Sequence, residues 1–158
     1  MTEEQIKDYT LRITQSNASA LAVITCELAE DCMKEAKTAV AREDWKEYCH
    51  LVKKAERYIG ELIHSMNDND PAGKIMMGYC VEVHRNLIQA RIGKMQSLLE
   101  EAEAMLKPVQ EVLTRVARED SEPPVMENTQ KIYVGLTYGR TSLNEMAVDP
   151  RSNRGYTV

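Results

Sequence analysis

Residues 45–66 read WKEYCHLVKKAERYIGELIHSM, a run without proline that is interrupted only by Gly60. Trp45, Val52, Ala55, Ile59, Leu62 and Met66 recur at steps of three, four or seven. That spacing gathers them on one side of a 3.6-residue helix, with Lys46, Lys53, Lys54, Glu56 and Glu61 on the flanks. Asp44 is a candidate N-cap, and Glu47 three positions later makes a weak capping box. A helix with one dry face needs partner helices to cover it.

The flanking sequence supplies them. Ser16, Asn17 and Ser19 offer caps for a helix running to about residue 42, with Leu21, Ile24, Leu28, Cys32, Ala36 and Val40 as its apolar stripe. The Arg42-Glu43-Asp44 connection is short, which implies antiparallel neighbours. Residues 67–74, NDNDPAGK, read as a loop. The helical period resumes over about 75–91 through Ile75, Tyr79, Val83, Leu87 and Ala90, and Gly93 marks a turn. A last helix over about 94–117 places Met95, Leu98, Ala102, Met105, Val109, Val112 and Val116 inside, with a kink or stop expected at Pro108. Upstream, residues 3–11 read as a short helix or extended arm anchored by Ile6, Tyr9 and Ile13. The expected fold is all-α: an antiparallel four-helix bundle over residues 1–118 with an N-terminal helix or arm. Residues 119–158 form a tail in which SEPP signals a linker, and 132–146 is either disordered or a docking segment.

Composition limits the function classes. A formal net charge of −5 disfavours non-specific binding to nucleic acid or acidic membranes. No apolar run approaches the roughly 18 residues of a membrane span, and the opening MTEEQIKD lacks a secretory signal pattern, so a cytoplasmic location is expected. Cys26, Cys32, Cys49 and Cys80 show no CxxC spacing and read as reduced thiols, mostly buried. There is no Phe but there are nine Met, a supply suited to helix packing and to adaptable binding surfaces.

Few motifs suggest chemistry. Glu47/His50 and Glu61/His64 are Glu-x-x-His pairs of the kind that di-iron bundles take from two facing helices. Both lie on one helix here, 14 positions or roughly 21 Å apart, too far to share a cluster. Cys80 and His84 give an i,i+4 pair without obvious companions. Neither a phosphate-binding loop nor a nucleophile-base-acid arrangement can be singled out, so no cofactor is assigned and an enzyme is not expected. A metal-binding bundle of the ferritin-like class and a generic helical scaffold stand as alternatives to the reading that follows.

The order of motifs resembles the flagellin-specific export chaperone family (FliS) over about residues 6–117. IKDY at 6–9 is similar to the family's I-K-x-Y segment, and EAKTAVAREDWKEY at 35–48 to its passage of Ala-Lys followed by Asp and an aromatic. KKAERYIGELIHSMN at 53–67 resembles the strongest signature, and RNLIQARI at 85–92 resembles R-R-L-I-x-A-N-I, followed by Leu98, Leu99 and Leu106. The chain departs from the pattern at Asn17-Ala18, at residues 25–28, at Met95 and at Leu113.

The resemblance implies a cytoplasmic chaperone, monomeric or homodimeric. It would hold the C-terminal helical segment of flagellin in an apolar groove and prevent polymerisation before export. It also implies possible dealings with an anti-sigma factor and the export gate. Carried over, Ile6, Tyr9 and Ile13 belong to a mobile N-terminal segment, and Leu21, Ile24, Leu28, Tyr79, Val83 and Leu87 are candidate groove walls. On that reading Tyr9→Ala weakens client binding while the bundle stays folded.

Overall fold

The computed structural model describes residues 2–66 and 70–126. Five helices follow one another in this region: α1 (Glu3–Thr14), α2 (Ala18–Ala41), α3 (Trp45–Ser65), α4 (Pro71–Gly93) and α5 (Gln96–Glu119). Among the described residues there is no strand. Helices α2 to α5 close a ring in which each packs on the next and α5 returns to α2. α1 folds back along the outside of α2. The all-α bundle expected from the sequence is therefore present, with α1 a regular helix of three turns rather than an extended arm.

Local chemistry sets the boundaries. Thr2 and Gln5 form a reciprocal capping box at the start of α1. The Asn17 carbonyl oxygen of the side chain accepts from the Ala20 N–H, Asp44 accepts from Glu47, and Asp70 from Gly73. The α2–α3 turn is a Schellman closure: the Asp44 N–H reaches the Ala39 carbonyl and the Glu43 N–H reaches that of Val40. Glu43 takes a left-handed conformation there, with φ of 58°.

Two boundaries differ from the sequence reading. α4 begins at Pro71 rather than near 75, because a proline fits the first helical turn, where its missing N–H has no partner to lose. Of the loop expected at 67–74, residues 67–69 lie outside the described residues. α5 runs through Pro108 without stopping, with Pro108 itself on the exposed side.

The core is assembled from Ile59, Leu62, Tyr48, Met33, Leu87, Leu99 and their neighbours. Tyr48 is fully buried yet satisfied, its hydroxyl donating to the Ala90 carbonyl at 3.1 Å. Trp45, expected in the dry face of α3, sits at the rim instead, with Tyr48 edge-on at 5.7 Å and the Lys94 ammonium 5.4 Å over its ring. Glu56, expected on the wet flank, is buried because Arg91 of α4 reaches across and donates to both its carboxylate oxygens. Ile75 and Tyr79 belong to the outer surface of α4, not to its packed face. In α5 the inward residues are Leu99, Ala102, Leu106, Val109 and Leu113. The expected stripe shared only Ala102 and Val109 with this set; Leu98, Met105 and Val112 lie beside it, while Met95 and Val116 are exposed.

After α5 the chain does not leave the bundle at once. The Asn17 amide donates to the carbonyls of Asp120 and Glu122, and the Val125 N–H donates to the Ser16 carbonyl at 3.1 Å. The docking segment expected at 132–146 lies outside the described residues.

Candidate functional site

α1 carries an amphipathic pattern, and yet none of its residues is buried. Its attachment to α2 is mainly polar. The Tyr9 hydroxyl donates to the Asp31 carboxylate at 2.8 Å. Three residues on, the Arg12 guanidinium pairs with Glu27 at 2.7 Å and lies 5.5 Å from the Tyr9 ring. Glu27 and Asp31 are one helical turn apart on α2, so two successive turns of α1 meet two acids in register. Burial and the bond to Asp31 push the Tyr9 phenol well above its ordinary value. The bond to Glu27 and the surrounding acids hold the Arg12 guanidinium still more firmly protonated than usual. Both groups keep the charge states that the contact requires across the physiological range.

Beside this contact lies an open cleft of about 320 Å³ where α1, the start of α2 and the end of α5 converge. Arg12, Ser16, Val23, Ile24, Thr114 and Arg118 line it. Val23 and Ile24 of α2 give it an apolar floor, and Arg12, Ser16, Thr114 and Arg118 a polar mouth.

The nine residues singled out from the sequence fall into two groups. Ile6, Tyr9 and Ile13 are on α1, with Ile6 51% exposed and Tyr9 and Ile13 half-buried. Leu21, Ile24 and Leu28 are on α2, the helix that α1 covers; Leu21 is half-buried and the other two are buried. Tyr79, Val83 and Leu87 are on α4, which packs on α3 and α5 rather than beside α1. Tyr79 is 46% exposed, whereas Val83 and Leu87 are sealed in the core. In this conformation the α4 residues do not share a groove with α1 and α2.

Sequence reasoning missed Arg12, Glu27 and Asp31, which make the contact. Their signal was available in principle: an acidic pair at i,i+4 bordering the apolar stripe of α2 beside Ile24, matched by Tyr9 and Arg12 at i,i+3. It was overlooked because acids on a helix surface usually face only water. Among the described residues no three His, Cys, Asp or Glu side chains converge as metal ligands. His64 turns back to its own helix, its Nδ1 lying 2.7 Å from the Gly60 carbonyl oxygen. No helix among the described residues is long and apolar enough to cross a membrane.

The described residues thus form an all-α bundle, a ring of four helices with an outer helix fastened to it by polar contacts. Residues 3–120, about three quarters of the chain, match the family described as flagellar protein FliS. The chain therefore belongs to the FliS family, a family of flagellar export chaperones rather than of enzymes. No curated protein matches it.

Proposed function

We propose that this protein acts in the cytoplasm as the export chaperone of a flagellin, holding the C-terminal helical segment of its client against the bundle until secretion. The observation that carries this reading is the attachment of α1, which covers α2 without burying a single residue of its own. An amphipathic client helix could replace it by offering α2 apolar anchors at i, i+3, i+4 and i+7. Leu21, Ile24 and Leu28 would form the floor, with Ile6, Tyr9 and Ile13 as the cover that moves. Tyr79 would give a second contact on α4. Val83 and Leu87 could take part only if the bundle opened. Capture of this kind suppresses premature polymerisation by mass action and needs no nucleotide.

Magnitudes are compatible with that scheme. Micromolar binding corresponds to about 8 kcal/mol. Taken alone, the Tyr9 hydrogen bond and the partly exposed Arg12 ion pair resist opening by about 1–2 kcal/mol, a contribution that weakens the apparent affinity by up to about thirtyfold.

Titration calorimetry with a flagellin C-terminal peptide tests the proposal. Binding near or below the micromolar range is expected, with a negative heat-capacity change from apolar burial. No heat and no complex on gel filtration would overturn it. Tyr9→Ala removes ring and hydroxyl together and so mixes loss of a contact with easier opening. Tyr9→Phe separates them: only the bond to Asp31 is lost, and the peptide should bind roughly two- to tenfold more tightly.

A further inference from the structure

We propose that residues 120–126 form an intramolecular clasp across the α1–α2 junction and set how readily α1 leaves the bundle. The junction has two sides. Ser16 belongs to the α1 side, since its N–H donates to the Ile13 carbonyl and its hydroxyl to the Arg12 carbonyl. Asn17 belongs to the α2 side as the N-cap of that helix. Residues 120–126 bond to both sides. The Val125 N–H donates to the Ser16 carbonyl, and the Asn17 amide donates to the carbonyls of Asp120 and Glu122. Any rotation that lifts α1 about this junction must carry the Ser16 carbonyl away from Val125.

The segment suits the task. Asp120 is turned into an extended conformation at the end of α5, and its carboxylate accepts from the Glu122 N–H at 2.9 Å, fixing the first bend. Pro123 and Pro124 then restrict themselves and the residues before them to extended backbone, so little conformational freedom is lost when the segment lies down. Val125 is 59% exposed, which makes its main-chain N–H rather than its side chain the anchor. The clasp acts on the hinge, whereas Tyr9 and Arg12 act on the body of the lid. It requires no client and stands independently of which protein the bundle captures.

Hydrogen exchange of the full-length protein, followed by mass spectrometry on peptides covering α1, tests the clasp. Val125→Pro removes the donor to Ser16 and touches nothing in the α2 cap. Asn17→Asp keeps an acceptor for the Ala20 N–H but replaces the amide that donates to residues 120 and 122. Both variants should speed α1 exchange roughly three- to tenfold, with α3 and α4 unchanged, while Val125→Ala should exchange as the wild type does. Wild-type α1 exchange in Val125→Pro would overturn the proposal. So would an acceleration that spreads to α3 and α4, or one that Val125→Ala reproduces.

Discussion

Three of the four cysteines lie within the bundle, and their environment fixes their chemistry. Burial pushes the Cys26 thiol up to about 12, and those of Cys32 and Cys80 up to about 11. Cys49 is less enclosed, its thiol facing the Arg91 carbonyl. At pH 8 a small thiol reagent should therefore modify Cys49 first in the native protein and all four after denaturation. Rapid native labelling of Cys26 would mean that α2 is not held as described. The linkage has a definite sign. Because the folded values are raised, the neutral thiols contribute stability that is intact below the ordinary thiol value near 9. It is lost as pH climbs from there toward 11–12. That these residues are mostly buried was legible from their helical positions. The burial of Glu56 was not, because nothing local reveals that Arg91, 35 residues later, reaches it.

At the scale of the element, α5 shows what limits a reading by period. Leu98, Met105 and Val112 form one seam, and Leu99, Leu106 and Leu113 another a single position away; both share Ala102 and Val109. Each seam satisfies a three-four spacing, so periodicity alone cannot choose between them. Packing chooses, because the face shared with α2 and α4 takes the leucines. The same difficulty placed Ile75 and Tyr79 in the stripe of α4, whereas the cap at Asp44 was read correctly and that of α2 was narrowed to Ser16, Asn17 and Ser19, of which Asn17 is the cap. Pro108 was expected to bend or end α5; it does not end the helix, which continues to Glu119. The proline still lacks the N–H that would donate to Ala104, and it is exposed. Pro108→Ala should restore that bond. The gain, after allowing for the looser unfolded chain, is about 1–2 kcal/mol, and the Tm measured by circular dichroism should rise by roughly 2–6 °C. An unchanged Tm would show that the backbone there has already relaxed.

For the molecule as a whole, stability and accessibility reside in different places. Among the described residues every buried side chain belongs to the four-helix ring, and α1 contributes none. Deleting residues 1–15 should leave α2 to α5 folded, with Tm lowered by only roughly 2–8 °C. Ile59→Ala in the core should cost about 2–5 kcal/mol and lower Tm further. A deletion variant that fails to fold would show that α1 is structural rather than a cover. The ring and its antiparallel order were readable from the chain, because they follow from four apolar stripes and short links. The way α1 is fastened was not, because it depends on polar surface groups, Tyr9 with Asp31 and Arg12 with Glu27, that only the assembled bundle brings into register.

The lone tryptophan adds an optical consequence. Trp45 sits where α3 begins, next to the end of α2 that lies roughly 36 Å along the helix from Asn17. Its emission, modulated by the ammonium of Lys94 and the ring of Tyr48, should change when the four helices melt and stay dark to events at the far end. Fluorescence and exchange kinetics on the unlabelled protein would then register two separate motions, one per end of the molecule.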